Sequence, residues 1–267
     1  MKRAILIIAV LALVLSAPAL AREEGAEIML DGVTWEQGAL LLEGRAYVPL
    51  RALCEAVGVA VTWDAAERTA RMTAPGLEVS ARPGDRYLSC NGHLIYEPGA
   101  VVMRSCRVWV SARALAQALG LGVIYVEEAR RLVIETGGAL PVWEDYDRDD
   151  LYWLSHIIEA EAGAEPFAGK IAVGNVVLTR MDSDKYPDTV RDVVFDKRHG
   201  IQFSPAWSGR IYEEPSRDSV LAARLCLDGA VEVVGCFYFT PDWKEETSWA
   251  GQNRPKYGTI GSHVFFT

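Results

Sequence analysis

The stretch Glu161-Ala-Gly-Ala-Glu165-Pro-Phe-Ala-Gly-Lys170 separates two segments in which apolar residues recur at helical spacing. The first segment carries an apolar stripe of Leu151, Leu154, Ile157 and Ile158. Asp149 or Asp150 is placed to cap it. The second predicted helix starts at Pro166, a residue suited to a first helical position, and runs to Arg180. Its small inward-facing residues, such as Gly174, predict that the two helices pack closely.

Glu161 is the candidate for chemistry in this stretch. It lies three residues after Ile158, so it falls near the buried stripe in the last turn of the first helix. Burial of a carboxyl raises its pKa, and a general acid needs a raised pKa. Glu159 lies on another part of the helix and is predicted to be solvated.

The remainder of the C-terminal half predicts a mainly helical domain over residues 151–267. Two more helices are expected near residues 189–194 and 216–227, and the aromatic segments 236–240 and 263–266 are expected to be strands. A Gly/Pro break followed by an acidic cluster marks residues 137–150 as a linker between domains.

The first half contains an internal repeat. The segment that begins Arg45-Ala-Tyr-Val-Pro-Leu-Arg aligns with the one that begins Arg107-Val-Trp-Val-Ser-Ala-Arg, 62 residues later. Each copy predicts a strand, a helix that ends at Gly58 or Gly120, and two further strands. The whole chain is therefore predicted to be α+β. The aromatic residues of this half could line a glycan groove, but core packing is the preferred interpretation for Trp35, Tyr47, Trp63, Trp109 and Tyr125.

The composition, the net charge and the N-terminal segment exclude several classes of protein. Hydrophobic residues make up 50% of the 267 residues, which excludes a disordered chain. The net charge of −9 argues against nucleic acid as a partner. Lys2 and Arg3 precede an apolar run that ends in Ala19-Leu-Ala21, so residues 1–21 are predicted to be a signal peptide. The mature protein is expected to be secreted to the cell envelope without a membrane anchor.

Export makes disulfide bonds possible. The chain has five cysteines, and the pairs that are close in sequence are Cys90 with Cys106 and Cys226 with Cys236. These two pairs are the predicted bridges. Cys54 is left over and is expected to be a buried thiol on a helix.

Two family resemblances follow from these residues. Residues 27–136, most clearly Gly44-Arg-Ala-Tyr-Val-Pro-Leu-Arg51, resemble the N-terminal stalk domain of copper amine oxidases. This resemblance implies a role in spacing or attachment at the envelope. The C-terminal half resembles the catalytic domain of spore cortex-lytic enzymes and related bacterial cell wall hydrolases through the segments 161–180, Gln202-Phe-Ser204, Tyr238-Phe-Thr-Pro241 and Ile260-Gly-Ser-His-Val-Phe-Phe266.

The second resemblance implies a lysozyme-like fold and a lytic transglycosylase that cleaves peptidoglycan between N-acetylmuramic acid and N-acetylglucosamine, with no cofactor. Its catalytic glutamate corresponds to Glu161. The chain differs from the family motif at Gly163 and Ala164, where arginine and glycine are common. The candidate substrate contacts are Glu165, Gln202, Ser204, Tyr238 and Trp243. Glu165 has a second interpretation as the cap of the helix that starts at Pro166.

Three alternatives stay open from the sequence. A muramidase would use water and a second acid such as Glu165 or Asp242. A zinc amidase acting on the peptide stem would draw its ligands from His156, His199 and His263 together with a glutamate. The third alternative is an envelope-binding protein without activity. The sequence also leaves open whether the target is spore cortex or vegetative wall.

Overall fold

The computed structural model describes residues 25–198 and 200–267. The predicted signal peptide and His199 lie outside the described residues. Within the described part, no helix has both the length and the apolar character needed to cross a membrane.

The first half of the described chain is rich in strands and contains the predicted repeat. Its elements in chain order are β1 (Gly25–Leu30), β2 (Val33–Leu42), β3 (Arg45–Pro49), α1 (Leu50–Ala56), β4 (Ala60–Asp64), β5 (Thr69–Ala74), β6 (Leu77–Ala81), β7 (Tyr87–Cys90), β8 (His93–Tyr96), β9 (Val102–Arg104), β10 (Arg107–Ser111), α2 (Ala112–Leu119), β11 (Gly122–Val126) and β12 (Arg131–Glu135). The strand-helix-strand-strand order is confirmed in both copies of the repeat, β3 to β5 and β10 to β12.

The two copies meet at a local twofold axis. Strands β3 and β10 are equivalent in the repeat, and they pair antiparallel with Val48 opposite Val110. These two valines are also 62 residues apart, so each strand pairs with its own counterpart. The pair lies inside a seven-stranded sheet of order β11-β12-β1-β2-β3-β10-β9, and β4 to β8 form a second, five-stranded sheet.

The aromatic residues of this half differ in their exposure. Tyr47 is 1% exposed, and its hydroxyl donates to the Ala100 carbonyl oxygen at 3.2 Å. Trp35 and Tyr125 pack against the same core. Core packing is therefore confirmed for these three residues. It is wrong for Trp63, which is 40% exposed on the edge strand β4.

The second half is mainly helical, as predicted, and the whole chain is α+β. Its elements are α3 (Arg148–Ala162), α4 (Phe167–Met181), α5 (Val190–Val194), α6 (Pro205–Ser208), α7 (Arg217–Leu227), β13 (Tyr238–Pro241), α8 (Trp249–Asn253), β14 (Lys256–Ile260) and β15 (His263–Phe266). Short 3-10 turns cover Arg210–Tyr212 and Asp242–Thr247. The three strands form a small sheet of order β13-β15-β14 beside the helices.

Helix α3 starts differently from the sequence-based expectation. The cap is Asp147, whose carboxylate accepts from the Asp149 amide at 2.6 Å, and neither Asp149 nor Asp150 has that role. Asp150 instead accepts from the Val190 amide at 3.1 Å, because its side chain points back towards α5. Pro166 precedes α4 as its cap position and does not form part of the helix.

The predicted disulfide bonds are absent, and all five cysteines are free thiols. Cys90 is buried on β7, whereas Cys106 is exposed in the turn before β10. Cys226 on α7 and Cys236 belong to different core clusters. The members of each pair thus lie in different layers although they are close in sequence. Cys54 is buried on α1, as predicted.

The two halves contact each other through β8 and the C-terminal end of α7. Asp228 accepts from the Leu94 amide at 2.8 Å and lies 2.7 Å from His93 Nδ1. Leu94 is buried in the main hydrophobic cluster of the second half. The first half is therefore docked on the helical half. The domain limits given above stay a prediction.

Candidate active site

Glu161 lies in the last turn of α3 with its side chain half-buried. Its carboxyl accepts no hydrogen bond from any residue that the structure describes. Burial raises the pKa of Glu161 to about 7, although the positive charges of Arg210 and Arg180 act in the opposite direction. A carboxyl in this environment carries its proton in near-neutral solution and is able to donate it.

Glu159 is two residues away and has the opposite environment. Its Oε2 accepts from the amide of Ser216 at 3.0 Å and from the hydroxyls of Ser216 and Ser219, both at 2.6 Å. Burial alone would raise the pKa of Glu159, but these hydrogen bonds more than offset burial and lower it. Glu159 is partly exposed, which agrees with the prediction that it is solvated, and it is also hydrogen-bonded because the start of α7 packs against this face of α3.

A buried lysine holds the end of α3. Lys170 on α4 is 4% exposed, and its Nζ donates to the carbonyl oxygens of Ala162 at 2.9 Å and Gly163 at 2.7 Å. It also donates to the Ser219 hydroxyl at 3.2 Å. A cation at a helix C-terminus satisfies carbonyls that have no partner in the helix and interacts favourably with the helix dipole. Lys170 therefore positions the turn that carries Glu161.

Replacement of Lys170 by methionine removes these three hydrogen bonds. The Ala162 carbonyl keeps the Glu165 amide as a donor, whereas the Gly163 carbonyl has no other donor among the described residues. We expect the free energy of unfolding to fall by about 1–3 kcal/mol, since hydrogen bonds to a charged group are lost and one carbonyl is left without its donor. Urea unfolding followed by circular dichroism measures the change. Lys244→Met is the matched control, because Lys244 is exposed on a 3-10 turn. Equal stability of the two variants would contradict this role of Lys170.

Small residues allow the helices around Glu161 to approach closely, as predicted. A Cβ atom on Gly174 of α4 would lie 2.6 Å from the Cys226 sulfur and 3.0 Å from Ile158 Cδ1. No larger side chain fits there without moving α3 or α7.

Arg180, at the end of α4, connects the surroundings of Glu161 to a groove. Its guanidinium is 3% exposed; Nε donates to the Phe237 carbonyl at 2.8 Å and Nη2 donates to Gln202 Oε1 at 3.2 Å. The same group lies 5.0–5.6 Å from the ring centres of three aromatic residues, namely Tyr186, Phe203 and Tyr238. Arg180 is also close enough to Glu161 for its charge to lower the pKa of that carboxyl.

The groove has a volume of about 640 Å³. Its walls are formed by the end of α4, the segment around Gln202, strand β13 and helix α8. The lining residues are Arg180, Lys185, Tyr186, Gln202, Tyr238, Phe239, Thr240, Ser248, Trp249, Ala250 and Arg254.

The structure brings two of the predicted substrate contacts, Gln202 and Tyr238, into this groove. The Tyr238 hydroxyl lies 3.2 Å from that of Tyr186. Ser204 is exposed just before α6, and Trp243 is 75% exposed on the second 3-10 turn. Neither of these two residues lines the groove, and their contact with substrate stays a prediction.

Glu165 connects two segments of the chain. It accepts from the amide of Ser262 at 2.8 Å and from the Ser262 hydroxyl, in the turn between β14 and β15. Burial acts to raise the pKa of Glu165, but the hydrogen bonds from Ser262 lower it overall. Helix α4 has no side-chain cap, so the interpretation of Glu165 as its cap was wrong. The chain turns away at Pro166, which directs the carboxylate to the hairpin.

Most of the residues that line the groove were not predicted from the sequence, among them Arg180, Tyr186, Trp249 and Arg254. Arg180 had a detectable signal, since it is one of two cations on the mainly apolar second helix. The other three come from separate loops and short elements, and no local pattern distinguishes them.

The histidines considered as zinc ligands lie in different surroundings. The His156 Nδ1 is 2.8 Å from the Tyr152 carbonyl oxygen, within α3. His263 is buried between Phe239 and Phe265. His199 is outside the described residues. In residues 25–198 and 200–267, no three or more His, Cys, Asp or Glu side chains cluster in a way that could hold a metal ion.

Two family models match parts of the chain. Residues 164–266 match the family described as Cell Wall Hydrolase, and residues 29–134 match the Copper amine oxidase N-terminal domain. The first match begins just after Glu161, so it does not itself include that residue.

Curated relatives are spore cortex-lytic enzymes. The one from Oceanobacillus iheyensis is 34% identical over 136 residues, which is 49% of this chain and 47% of the relative. The one from Bacillus subtilis is 31% identical over 123 residues, which is 45% of this chain and 38% of the relative. The chain thus spans less than half the length of these relatives.

Two solved structures are similar at 28% identity and a TM-score of 0.42. One is the catalytic domain of the germination-specific lytic transglycosylase SleB from Bacillus anthracis, which covers 47% of this chain and 100% of that one. The other is the catalytic domain of Bacillus cereus SleB, which covers 49% of this chain and 100% of that one. The chain is thus similar to the Copper amine oxidase N-terminal domain over residues 29–134 and to the Cell Wall Hydrolase family over residues 164–266.

Proposed function

We propose that this protein is a lytic transglycosylase that cleaves the glycan strand of peptidoglycan between N-acetylmuramic acid and N-acetylglucosamine. The observation that carries the proposal is Glu161, a half-buried carboxyl with a pKa of about 7 at the end of a rigidly held helix. The cell wall hydrolase match of residues 164–266 supports peptidoglycan as the substrate.

In the proposed reaction, Glu161 first acts as a general acid. It gives its proton to the glycosidic oxygen, and the bond from that oxygen to C1 of muramic acid breaks. The C6 hydroxyl of the same sugar then bonds to C1, and the Glu161 carboxylate takes the hydroxyl proton. The products are a new N-acetylglucosamine hydroxyl end and a 1,6-anhydromuramyl end, and Glu161 is protonated again.

This reaction needs only one carboxyl group, and the surroundings of the other candidate acids support a reaction of this kind. The two acids considered for a muramidase are both engaged, since Glu165 bonds to Ser262 and Asp242 accepts from the Trp243 amide at 2.7 Å. Neither is placed to act as an unengaged second carboxylate. A hydrolytic reaction through water would need such a group.

Mass spectrometry of the released muropeptides tests the proposal. The mature protein is incubated with purified sacculi and with spore cortex, with and without a chelator. We expect 1,6-anhydromuramyl ends that are insensitive to the chelator. Reducing muramic acid ends would indicate a muramidase, and free stem peptides that the chelator suppresses would indicate a zinc amidase. Absence of release from both substrates would favour a binding protein.

The same experiment addresses where the protein acts. We propose that the chain is exported through its predicted signal peptide and works in the cell wall or spore cortex. Faster release from cortex than from sacculi would identify the cortex as the preferred substrate, and the reverse would identify the vegetative wall.

A further inference from the structure

The groove beside Glu161 has a charge opposite to that of the whole protein. The chain carries 36 acidic and 27 basic residues, yet the groove is lined by Arg180, Lys185 and Arg254 and by no aspartate or glutamate. Among the residues that the structure describes, none of these three cations forms an ion pair with a carboxylate. The groove lining thus concentrates positive charge, which Asp196 and Glu161 offset at Arg180 from outside the lining and not as ion pairs.

One nitrogen of the Arg180 guanidinium has no hydrogen-bond partner among the described residues. This nitrogen, Nη1, is buried, whereas Nε and Nη2 are engaged by Phe237 and Gln202. Burial of an arginine that lacks a carboxylate partner is costly, and here it lowers the pKa of the guanidinium. Because Nη1 is closed to solvent, an anion in the groove would interact with Arg180 through the charge of its guanidinium, and would accept from Nη1 where a lining side chain moves aside.

Arg254 completes an aromatic frame around the groove. Its guanidinium lies 5.2 Å from the centre of the Tyr238 ring and 5.1 Å from that of Trp249, and Arg180 lies 5.6 Å from the same Tyr238 ring. Rings that stack on a guanidinium orient it and remove water from its faces, while its N–H groups stay available at the edge. Two arginines arranged in this way suit a planar carboxylate.

The geometry points to this groove as a binding site for a carboxylate carried by the muramyl residue of the glycan strand. The inference rests on the proposed function, because it takes the substrate to be peptidoglycan. N-acetylglucosamine is neutral, so the anionic groups of a glycan strand are the lactyl carboxylates of muramic acid or the carboxylates of the peptide attached there. Arg180 lines the groove and its charge also acts on Glu161, which relates the groove to the carboxyl of the proposed reaction.

Calorimetric titration tests the inference without requiring turnover. The mature chain carrying Glu161→Gln is titrated with a disaccharide-tetrapeptide and with the same muropeptide after its carboxylates are converted to methylamides. A peptide-free oligosaccharide that retains its lactyl carboxylates is the third probe. We expect the methylamide to bind at least about tenfold more weakly than the parent muropeptide, because charge-assisted hydrogen bonds to the arginines are lost.

Two variants test whether the preference for the carboxylate probe arises in this groove. Arg254→Gln is expected to weaken binding of the carboxylate probe about fivefold and to leave the methylamide unchanged. Arg148→Gln is the matched control, since Arg148 is exposed at the start of α3, about 20 Å along the helix from Glu161. This control is expected to bind every probe as the parent does.

The outcomes separate the sources of the carboxylate. Tight binding of the peptide-free probe assigns the lactyl group, and tight binding of the muropeptide alone assigns the peptide stem. Equal affinity for the carboxylate and methylamide probes would overturn the inference, whether or not the parent cleaves peptidoglycan. If the carboxylate preference is observed and the parent releases no fragments from sacculi or cortex, the proposed activity fails and the binding site stands.

Discussion

Glu161→Gln is expected to lower the rate of glycan cleavage by about 10²–10⁴-fold, because the carboxamide cannot donate a proton to the glycosidic oxygen or take one back. The size of the effect follows from the usual contribution of a positioned general acid. The initial rate of release of anhydromuramyl ends from sacculi or cortex, quantified by mass spectrometry, measures the change.

The pH profile of the parent gives this prediction a second readout. The general acid must start protonated, so kcat/KM is expected to decline as pH rises through about 7, the pKa of Glu161. A carboxyl with an ordinary pKa near 4.5 would place the decline more than two pH units lower. A parent that is fully active at pH 9 would contradict the assignment of Glu161 as the acid.

Glu159→Gln is the matched control for the rate. It carries the same chemical change on the same helix, two residues away, but its carboxylate is bonded to Ser216 and Ser219. We expect this variant to be less stable, since α7 loses an anionic partner at its N-terminus, and to keep its rate within about threefold of the parent below its unfolding temperature. A loss as large as that of Glu161→Gln would remove the distinction between the two glutamates.

Glu161→Gln is also expected to make the folded protein more stable at alkaline pH. The pKa of Glu161 is raised in the folded state from 4.5 to about 7, so the unfolded chain holds the ionised carboxylate more favourably. Below pH 4.5 the carboxyl is protonated in both states and costs nothing extra. As pH rises from about 4.5 to about 7, the parent loses up to about 3 kcal/mol of stability that the neutral glutamine keeps.

Urea unfolding at pH 4 and at pH 8 measures this difference. The two proteins are expected to have similar unfolding free energies at pH 4, and the variant is expected to exceed the parent at pH 8. Glu165→Gln is expected to change the unfolding free energy in the opposite direction, because hydrogen bonds from Ser262 lower the pKa of Glu165. Its replacement is expected to destabilise the protein at pH 8, and this loss is expected to shrink as pH falls through the folded-state pKa. A Glu161→Gln variant that is less stable than the parent at pH 8 would show that its carboxylate is well solvated or paired.

Local patterns in the sequence were sufficient for several elements. The 62-residue repeat predicted β3-α1-β4-β5 and β10-α2-β11-β12, because apolar spacing and the glycines that follow each helix are local signals. The same reasoning placed α3, α4, α5 and α7 and the strands β13 and β15. Cysteine spacing was a poor guide, because proximity in sequence does not decide whether two thiols face each other.

The sequence by itself determined the α+β class, the order of the main helices and the position of Glu161 at the core edge of a helix end. These properties follow from periodicity, which each segment expresses without its neighbours. What needed the tertiary structure is how Glu159 is held: α7 brings hydroxyl and amide donors to Glu159 and leaves Glu161 without any among the described residues. The tertiary structure also assembled Arg180, Tyr186, Tyr238, Trp249 and Arg254 into one groove. Burial, hydrogen bonding and electrostatic fields depend on residues that are distant in sequence, and only folding brings them together.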